Sequence, residues 1–213
     1  KNSNPTEAPG NPNVEEQANL AFPLASMEEN AEINPSGKES SDPFSMQTET
    51  GYHSRYQAKL RGKIMHRLLE KLLSNEDKNA VISAVAAEFS QATTGSIIKA
   101  CLSEAEKLLH NTELQILFDP SYYIQAYNEI PIGYEEQGNI IYGIIDRLVV
   151  YTEHVTIIDY KSSAVLDEKN TDDLANSYRE QMRLYKTGVQ KLWPGKTVSA
   201  KLLFTHTGRL VDS

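Results

Sequence analysis

The stretch GIIDRLVVYTEHVTIIDYKSS, Gly143 to Ser163, decides how the chain folds. It holds two apolar runs, each carrying one aspartate where a buried strand would ordinarily carry none. Side chains alternate along a strand. Ile144, Asp146, Leu148 and Val150 are therefore expected on one face of the first strand. Val155, Ile157, Asp159 and Lys161 are expected on one face of the second. A turn centred on Thr152–Glu153 sets the register. Val150 then faces Val155, Leu148 faces Ile157 and Asp146 faces Asp159, with Lys161 one step beyond.

Directly opposed side chains have Cβ atoms roughly 4.5–5.5 Å apart, and like charges there are destabilising. A cation between the carboxylates resolves the conflict. Hard divalent ions such as Mg²⁺ take one or two carboxylates and keep several waters. Lys161 lies about 7 Å along the strand from Asp159. It is placed to orient or deprotonate a water, or to balance charge in a transition state. The bland alternative pairs Asp146 with Arg147 or Lys161 at a sheet edge and involves no chemistry.

Outward from this hairpin, the pattern is helical before it and mixed after it. YQAKLRGKIMHRLLEKLLS, residues 56–74, has apolar residues at helical spacing. DKNAVISAVAAEFSQ, opening on the capping candidate Asp77, and TGSIIKACLSEAEKLLHN predict two more helices. Strands are predicted over Tyr123–Tyr134, Asn139–Tyr151 and His154–Lys161. A long helix follows from Thr171 to Trp193, ending before Pro194-Gly195, and TVSAKLLFTHT reads as a last strand. This order predicts an α/β or α+β domain with a mixed sheet. Residues 1–55 read differently. They are rich in Pro, Asn, Ser, Gly and Glu, which predicts a flexible linker, with LAFPLAS as a short docking candidate. The expected division is thus a flexible acidic tether, 1–55, and a folded domain, 56–213.

Net charge of −8 weighs against nucleic acid, but its distribution does not. Residues 1–55 hold nine acids and three bases, and residues 56–213 hold the remaining 20 acids and 18 bases. The domain is nearly neutral, which leaves room for a basic groove. No run is long enough to span a bilayer. The single cysteine, Cys101, excludes a disulfide framework or a four-cysteine cluster within this chain and reads as a small buried helix residue. A start at Lys1 suggests a piece of a longer protein, and a reducing, cytoplasmic home fits.

Other residues bear on the aspartate pair. His66 shares a helix face with Gly62, one turn before, and Glu70, one turn after. Glycine is poor mid-helix, which suggests a close approach on that face by a phosphate backbone or the sheet. His66 could ligate the metal as neutral imidazole. On the long helix, Leu174, Tyr178, Gln181, Tyr185 and Leu192 form a stripe. Gln181 interrupts it, through ligand contact or through a satisfied core hydrogen bond. Tyr178 and Tyr185 read as packing residues. Glu129 is either a further carboxylate for the metal or a surface charge at a strand edge. His53, His110, His154 and His206 read as structural or solvated.

The segments RGKIMHRLLEKL, YGIIDRLVV, IIDYKSS and YREQMRLYKTGVQKL together resemble the C-terminal nuclease domain of AddA (RecB-like) helicase–nucleases, within the PD-(D/E)xK superfamily. The four motifs come in the family's order, and LLFTHTGRLV resembles the end of AddA chains. The resemblance implies a restriction-endonuclease-like core of α/β class, a mixed sheet flanked by helices. It implies His66, Asp146, Asp159 and the carbonyl of Tyr160 as metal ligands. Lys161 becomes the catalytic lysine, with Gln181 and Tyr185 as the accessory motif beside it. The nominal proline before the first aspartate is replaced by Ile145. The implied function is Mg²⁺-dependent DNA exonuclease action, with Mn²⁺ as a substitute and no iron–sulfur cluster, in double-strand-break repair in a bacterial cytoplasm. The implied partners are DNA ends, single strands from unwinding and an AddB-type subunit. No GxxxxGK[ST] phosphate loop is present, so ATP is expected only upstream. Two other classes stand beside this one. One is an inactive module that binds DNA or a partner. The other is a two-carboxylate glycosidase, disfavoured by the adjacent lysine and by the single Trp193.

Overall fold

The computed structural model describes residues 32–33, 49–74, 76–89, 95–162 and 168–213. The LAFPLAS segment lies outside them, and the expected cap Thr171 and stripe residue Leu174 lie outside the described side chains.

A two-residue strand, β1 (Glu32–Ile33), falls within the segment read as linker. Helix α1 runs over Glu49–Leu73, starting before the Tyr56 expected from periodicity. Its apolar residues Ile64, Met65, Leu68 and Leu69 are fully buried. Helix α2 (Lys78–Glu88) is capped as expected: Asp77 accepts from the backbone N–H groups of Asn79 and Ala80, both at 3.0 Å. Helix α3 (Gly95–Leu109) buries Cys101. Two single turns and the short helix α4 (Gln115–Phe118) occupy residues 112–122, where the sequence showed no periodicity.

Strands β2 (Gln125–Glu136), β3 (Asn139–Val150) and β4 (His154–Lys161) form the expected meander. Helix α5 (Glu168–Leu192) crosses to β5 (Thr197–Phe204), and a further strand, β6 (Arg209–Asp212), returns beside it. The sheet is mixed. β4 runs antiparallel to β3 and parallel to β5, and β6 is antiparallel to β5. One face packs against α1, α3 and α4 through Val149, Tyr151, Ile158 and Tyr160. The other packs against α5 through Ile145, Leu148, Val155 and Ile157, which meet Met182, Tyr185 and Val189. Sandwiching the sheet on both faces is why its central strands read as continuous apolar runs.

The hairpin register holds where the strands pair. Val150 opposes Val155 and Leu148 opposes Ile157. The ladder ends at Arg147–Ile158, one step before the aspartates. β4 leaves β3 there, and β1 takes up the same edge of β3 at Ile140 and Ile141. The Asp146 position thus falls in the gap between the two registers.

The expected alternation on β3 needs correction. Ile144 does not share a core face with Leu148 and Val150. Ile141 and Ile145 pack toward α5, and so do Leu148 and Val150, so the facing switches between Asp146 and Arg147. β2 switches at the matching place: Ile130, Ile132 and Tyr134 face α5, as does Tyr127. No residue is inserted, since Asn128 pairs with Arg147 and Ile130 with Ile145. The physical cause is Glu129, opposite Asp146, whose φ of 48° is left-handed. A single such residue rotates the strand without adding length, and it brings Glu129 and Asp146 to the α1 side of the sheet.

Candidate active site

Helix α1 presents His66 to this switch point. Its Nδ1 lies 3.3 Å from Asp146 Oδ1, and its Nε2 lies 3.1 Å from the carbonyl of Tyr160. Asp146 Oδ2 accepts from the backbone N–H of Tyr160 at 2.7 Å. The aspartate thus occupies the rung that β4 vacates, and it satisfies a backbone donor that the splayed ladder would leave unpaired. His66, Glu129 and Asp146 each offer a ligand atom, all within 4.8 Å of one another, so they could hold a metal ion. The Tyr160 carbonyl is beside them through His66.

The close approach predicted at Gly62 is made by the residue after β4. A Cβ on Gly62 would stand 2.9 Å from Ser162 Oγ. Glycine there lets α1 seat against the end of β4, which brings His66 within reach of Tyr160.

Asp159 and Lys161 do not meet Asp146 across a ladder rung. They lie on the β4 face that Val155 and Ile157 turn toward α5. Asp159 is 4% exposed, and its Oδ2 lies 2.5 Å from Lys161 Nζ. Lys161 Nζ also sits 3.8 Å from the ring centroid of Tyr178 on α5. The two halves of the site nevertheless feel each other, because Asp159 responds to the charges of Asp146 and His66.

The protonation states follow from burial and from these charges. Burial pulls the His66 imidazole down, but Asp146, then Asp159 and Glu129, outweigh it and lift it to about 9. Both ring nitrogens face acceptors, which suits an imidazolium donating twice. Burial pushes Asp146 up, yet the His66 cation and the Tyr160 N–H hold it below its ordinary value. Glu129 is pushed up to about 7, first by burial and then by Asp146. Asp159 rises to about 6 through burial, with Lys161 opposing and Asp146 adding to the rise. Burial pulls Lys161 down, and Asp159 outweighs it, so the ammonium is kept. Three acids and a histidine with displaced proton affinities, spread over these two halves, make this a candidate functional site.

The residues expected as the accessory motif reach β3. Tyr185 is fully buried, and its hydroxyl donates to the carbonyl of Ile144 at 2.8 Å, two residues before Asp146. Gln181 Nε2 donates to the Tyr185 hydroxyl at 3.3 Å. The amide of Gln181 thus has a hydrogen-bond partner within the fold. On the other side of Asp146, Arg147 is 1% exposed. It donates to the Leu117 carbonyl (3.0 Å), Asn128 Oδ1 (2.6 Å) and the Tyr123 hydroxyl (3.1 Å). Arg147 was weighed only as an ion-pair partner of Asp146 and Tyr178 only as a packing residue, and the partners each one has lie on segments that local pattern does not connect.

Of the other histidines, His110 Nδ1 lies 2.7 Å from the Glu106 carbonyl, His154 stacks on Tyr151 with ring centroids 4.2 Å apart, and His206 lies 3.3 Å from Glu104, while the His53 side chain lies outside the described ones.

Residues 44–211 match the PD-(D/E)XK nuclease superfamily. The chain belongs to the PD-(D/E)XK nuclease superfamily. Its curated relatives include the A chain of the ATP-dependent helicase/nuclease of Clostridium acetobutylicum, 25% identical over 150 residues, which are 70% of this chain and 11% of that protein. The protein of the same name from Lacticaseibacillus casei is 38% identical over 73 residues, 34% of this chain and 6% of that protein. The chain spans about a tenth or less of these relatives' length. A crystal structure from Eubacterium rectale aligns over 73% of this chain and 58% of its own, with a TM-score of 0.45 and 14% identity, too loose a likeness to add to the assignment. This PD-(D/E)XK chain is therefore a nuclease-like domain related to AddA. No helix among its described residues is long and apolar enough to cross a membrane.

Proposed function

We infer that the chain is the metal-dependent DNA-cleaving domain of a helicase–nuclease that processes double-strand breaks. The observation that carries this reading is the set of His66, Glu129 and Asp146, whose ligand atoms lie within 4.8 Å of one another, with the Asp159–Lys161 pair flanking Tyr160, whose carbonyl meets His66. His66, Glu129 and Asp146, with the Tyr160 carbonyl beside them, would hold a divalent cation, Mg²⁺ or Mn²⁺, and Asp159 would have to turn from the α5 face to join them. Such an ion supplies charge neutralisation at the phosphate and a more acidic water. Imidazole and hard oxygens suit it, and His66 would have to surrender its proton to take part.

The chain's own groups do the rest. Lys161 is held as an ammonium by Asp159 and is braced on Tyr178. It donates to a phosphate oxygen as negative charge builds, and it orients the attacking water. Tyr185 and Gln181 position the Ile144 end of β3, and with it Asp146. Residues 1–55 would join this domain to an upstream ATP-driven motor. The single strands released by unwinding and a partner of AddB type complete the setting, in a bacterial cytoplasm.

The test is cleavage of linear single- and double-stranded DNA with Mg²⁺ and with EDTA. Lys161→Ala and Asp159→Ala should each lower the rate by about 10²–10³-fold, and EDTA should abolish it. Cleavage that persists in EDTA or in both variants would end this mechanism. DNA binding without cleavage by the wild type would favour the inactive-module reading.

A further inference from the structure

The switch of facing at Glu129 and Asp146 has a counterpart on the solvent side. Residues 142, 144 and 146 of β3 share one face, as do residues 129, 131 and 133 of β2. Pro131 opposes Ile144 and Gly133 opposes Tyr142. A two-strand strip therefore runs straight out from the Glu129–Asp146 pair. Its side chains are apolar and open. Tyr142 is 42% exposed, Ile144 is 39% exposed, and Pro131 is exposed as well. A Cβ on Gly133 would lie 3.8 Å from Tyr142 Cδ2, so the tyrosine ring lies alongside a position with no side chain of its own. On α1, the exposed Lys63 is one turn from His66.

Tyr142, Ile144 and Pro131 stand exposed in line with the charged site. Two features point to what would use them. The strip is continuous with the carboxylate cluster, and a lysine flanks the histidine at its inner end. A single nucleic-acid strand needs both an aromatic or apolar surface for its bases and cations for its phosphates. A duplex keeps its bases stacked inside and has little use for the ledge.

We propose that Tyr142 and Ile144, with Pro131 and Gly133 beside them, form a base-stacking ledge that holds a single DNA strand beside the His66–Glu129–Asp146 cluster. The ledge rests on the nuclease reading for its purpose but can be measured apart from it. It makes Tyr142 a determinant of preference for single strands over duplex.

The experiment measures anisotropy of a labelled oligothymidylate in EDTA, with wild type, Tyr142→Ala, Tyr142→Phe and Ile144→Glu, each matched for melting temperature. Tyr142→Ala should weaken binding about tenfold, the range for one base–aromatic stack. Tyr142→Phe should bind like wild type, because the ring is retained. Ile144→Glu should weaken binding through charge even if the alanine variant folds poorly. A blunt duplex should be affected little by any of the three. With Mg²⁺, Tyr142→Ala should raise KM for single strands and leave kcat near wild type. Equal binding by all four proteins, or no binding by the wild type, overturns the ledge. A wild type that cleaves while Tyr142→Ala binds normally removes the ledge and spares the nuclease. A wild type that binds through Tyr142 and never cleaves does the reverse.

Discussion

Replacing Glu129 by glutamine and by glycine separates two costs that the site carries without metal. The first is conformational. Glu129 holds a φ of 48° inside a strand, a region that costs a non-glycine residue roughly 1–2 kcal/mol. The second is electrostatic. Burial and Asp146 raise its carboxyl from an ordinary 4.5 to about 7. Because the group is partly solvated, that rise is worth about 1–2 kcal/mol once screening is discounted. The sign is set by linkage. An acid whose folded value is raised costs nothing below the unfolded value of 4.5. Its penalty grows as pH climbs toward 7 and is fully present above that.

In EDTA at alkaline pH, Glu129→Gln should therefore melt above wild type, and Glu129→Gly above both. A domain of this size gains about 2–4 °C per kcal/mol, so each step should be about 2–8 °C. Below pH 4.5 the glutamine gain should vanish while the glycine gain remains, since only the second is independent of charge. Saturating Mn²⁺ should invert the order, because an ion stabilises most the form that binds it best. Scanning calorimetry at two pH values, with and without metal, reads all of these. A glutamine variant that co-melts with wild type at alkaline pH would refute the electrostatic argument. A metal-induced rise as large in glutamine as in wild type would refute the role of Glu129 as a ligand.

Two further outcomes follow from the same geometry. His66 holds its proton up to about 9, and a metal ligand must be neutral, so Mn²⁺ binding near neutral pH should release about one proton. Calorimetry in buffers of different ionisation enthalpy measures this, and no release by wild type would exclude His66 as a ligand. On the far side of the sheet, a Cβ on Gly188 would collide with Ile132 Cδ1 and stand 2.8 Å from two Tyr134 ring carbons. Gly188→Ala should cost about 1–3 kcal/mol of overpacking, less up to ~1 kcal/mol of helix propensity, and an undiminished melting temperature would show that α5 can move off β2.

Much of this molecule could be read before its structure. The meander, the crossing helix and the pairing of Val150 with Val155 follow from apolar runs and one turn, which are local properties. Asp146, Asp159 and Lys161 were legible as candidates because charge inside an Ile/Val run is costly wherever the run folds. Asp77 was legible as a cap for the same kind of reason, since the donors it satisfies lie two and three residues away.

What escaped the sequence is non-local. Strict alternation placed Asp146 on a rung with Asp159. Instead the ladder stops at Arg147, and Asp146 turns to Tyr160 and His66. Nothing in NEIPIG announces that a glutamate will adopt a left-handed conformation. That conformation persists only because β2, β3 and the buried Arg147 over-determine it. Residue pattern determines which side chains are expensive to bury. Where those side chains go is decided by which strand ends separate and which helix fills the gap, and that depends on contacts between segments far apart in the chain.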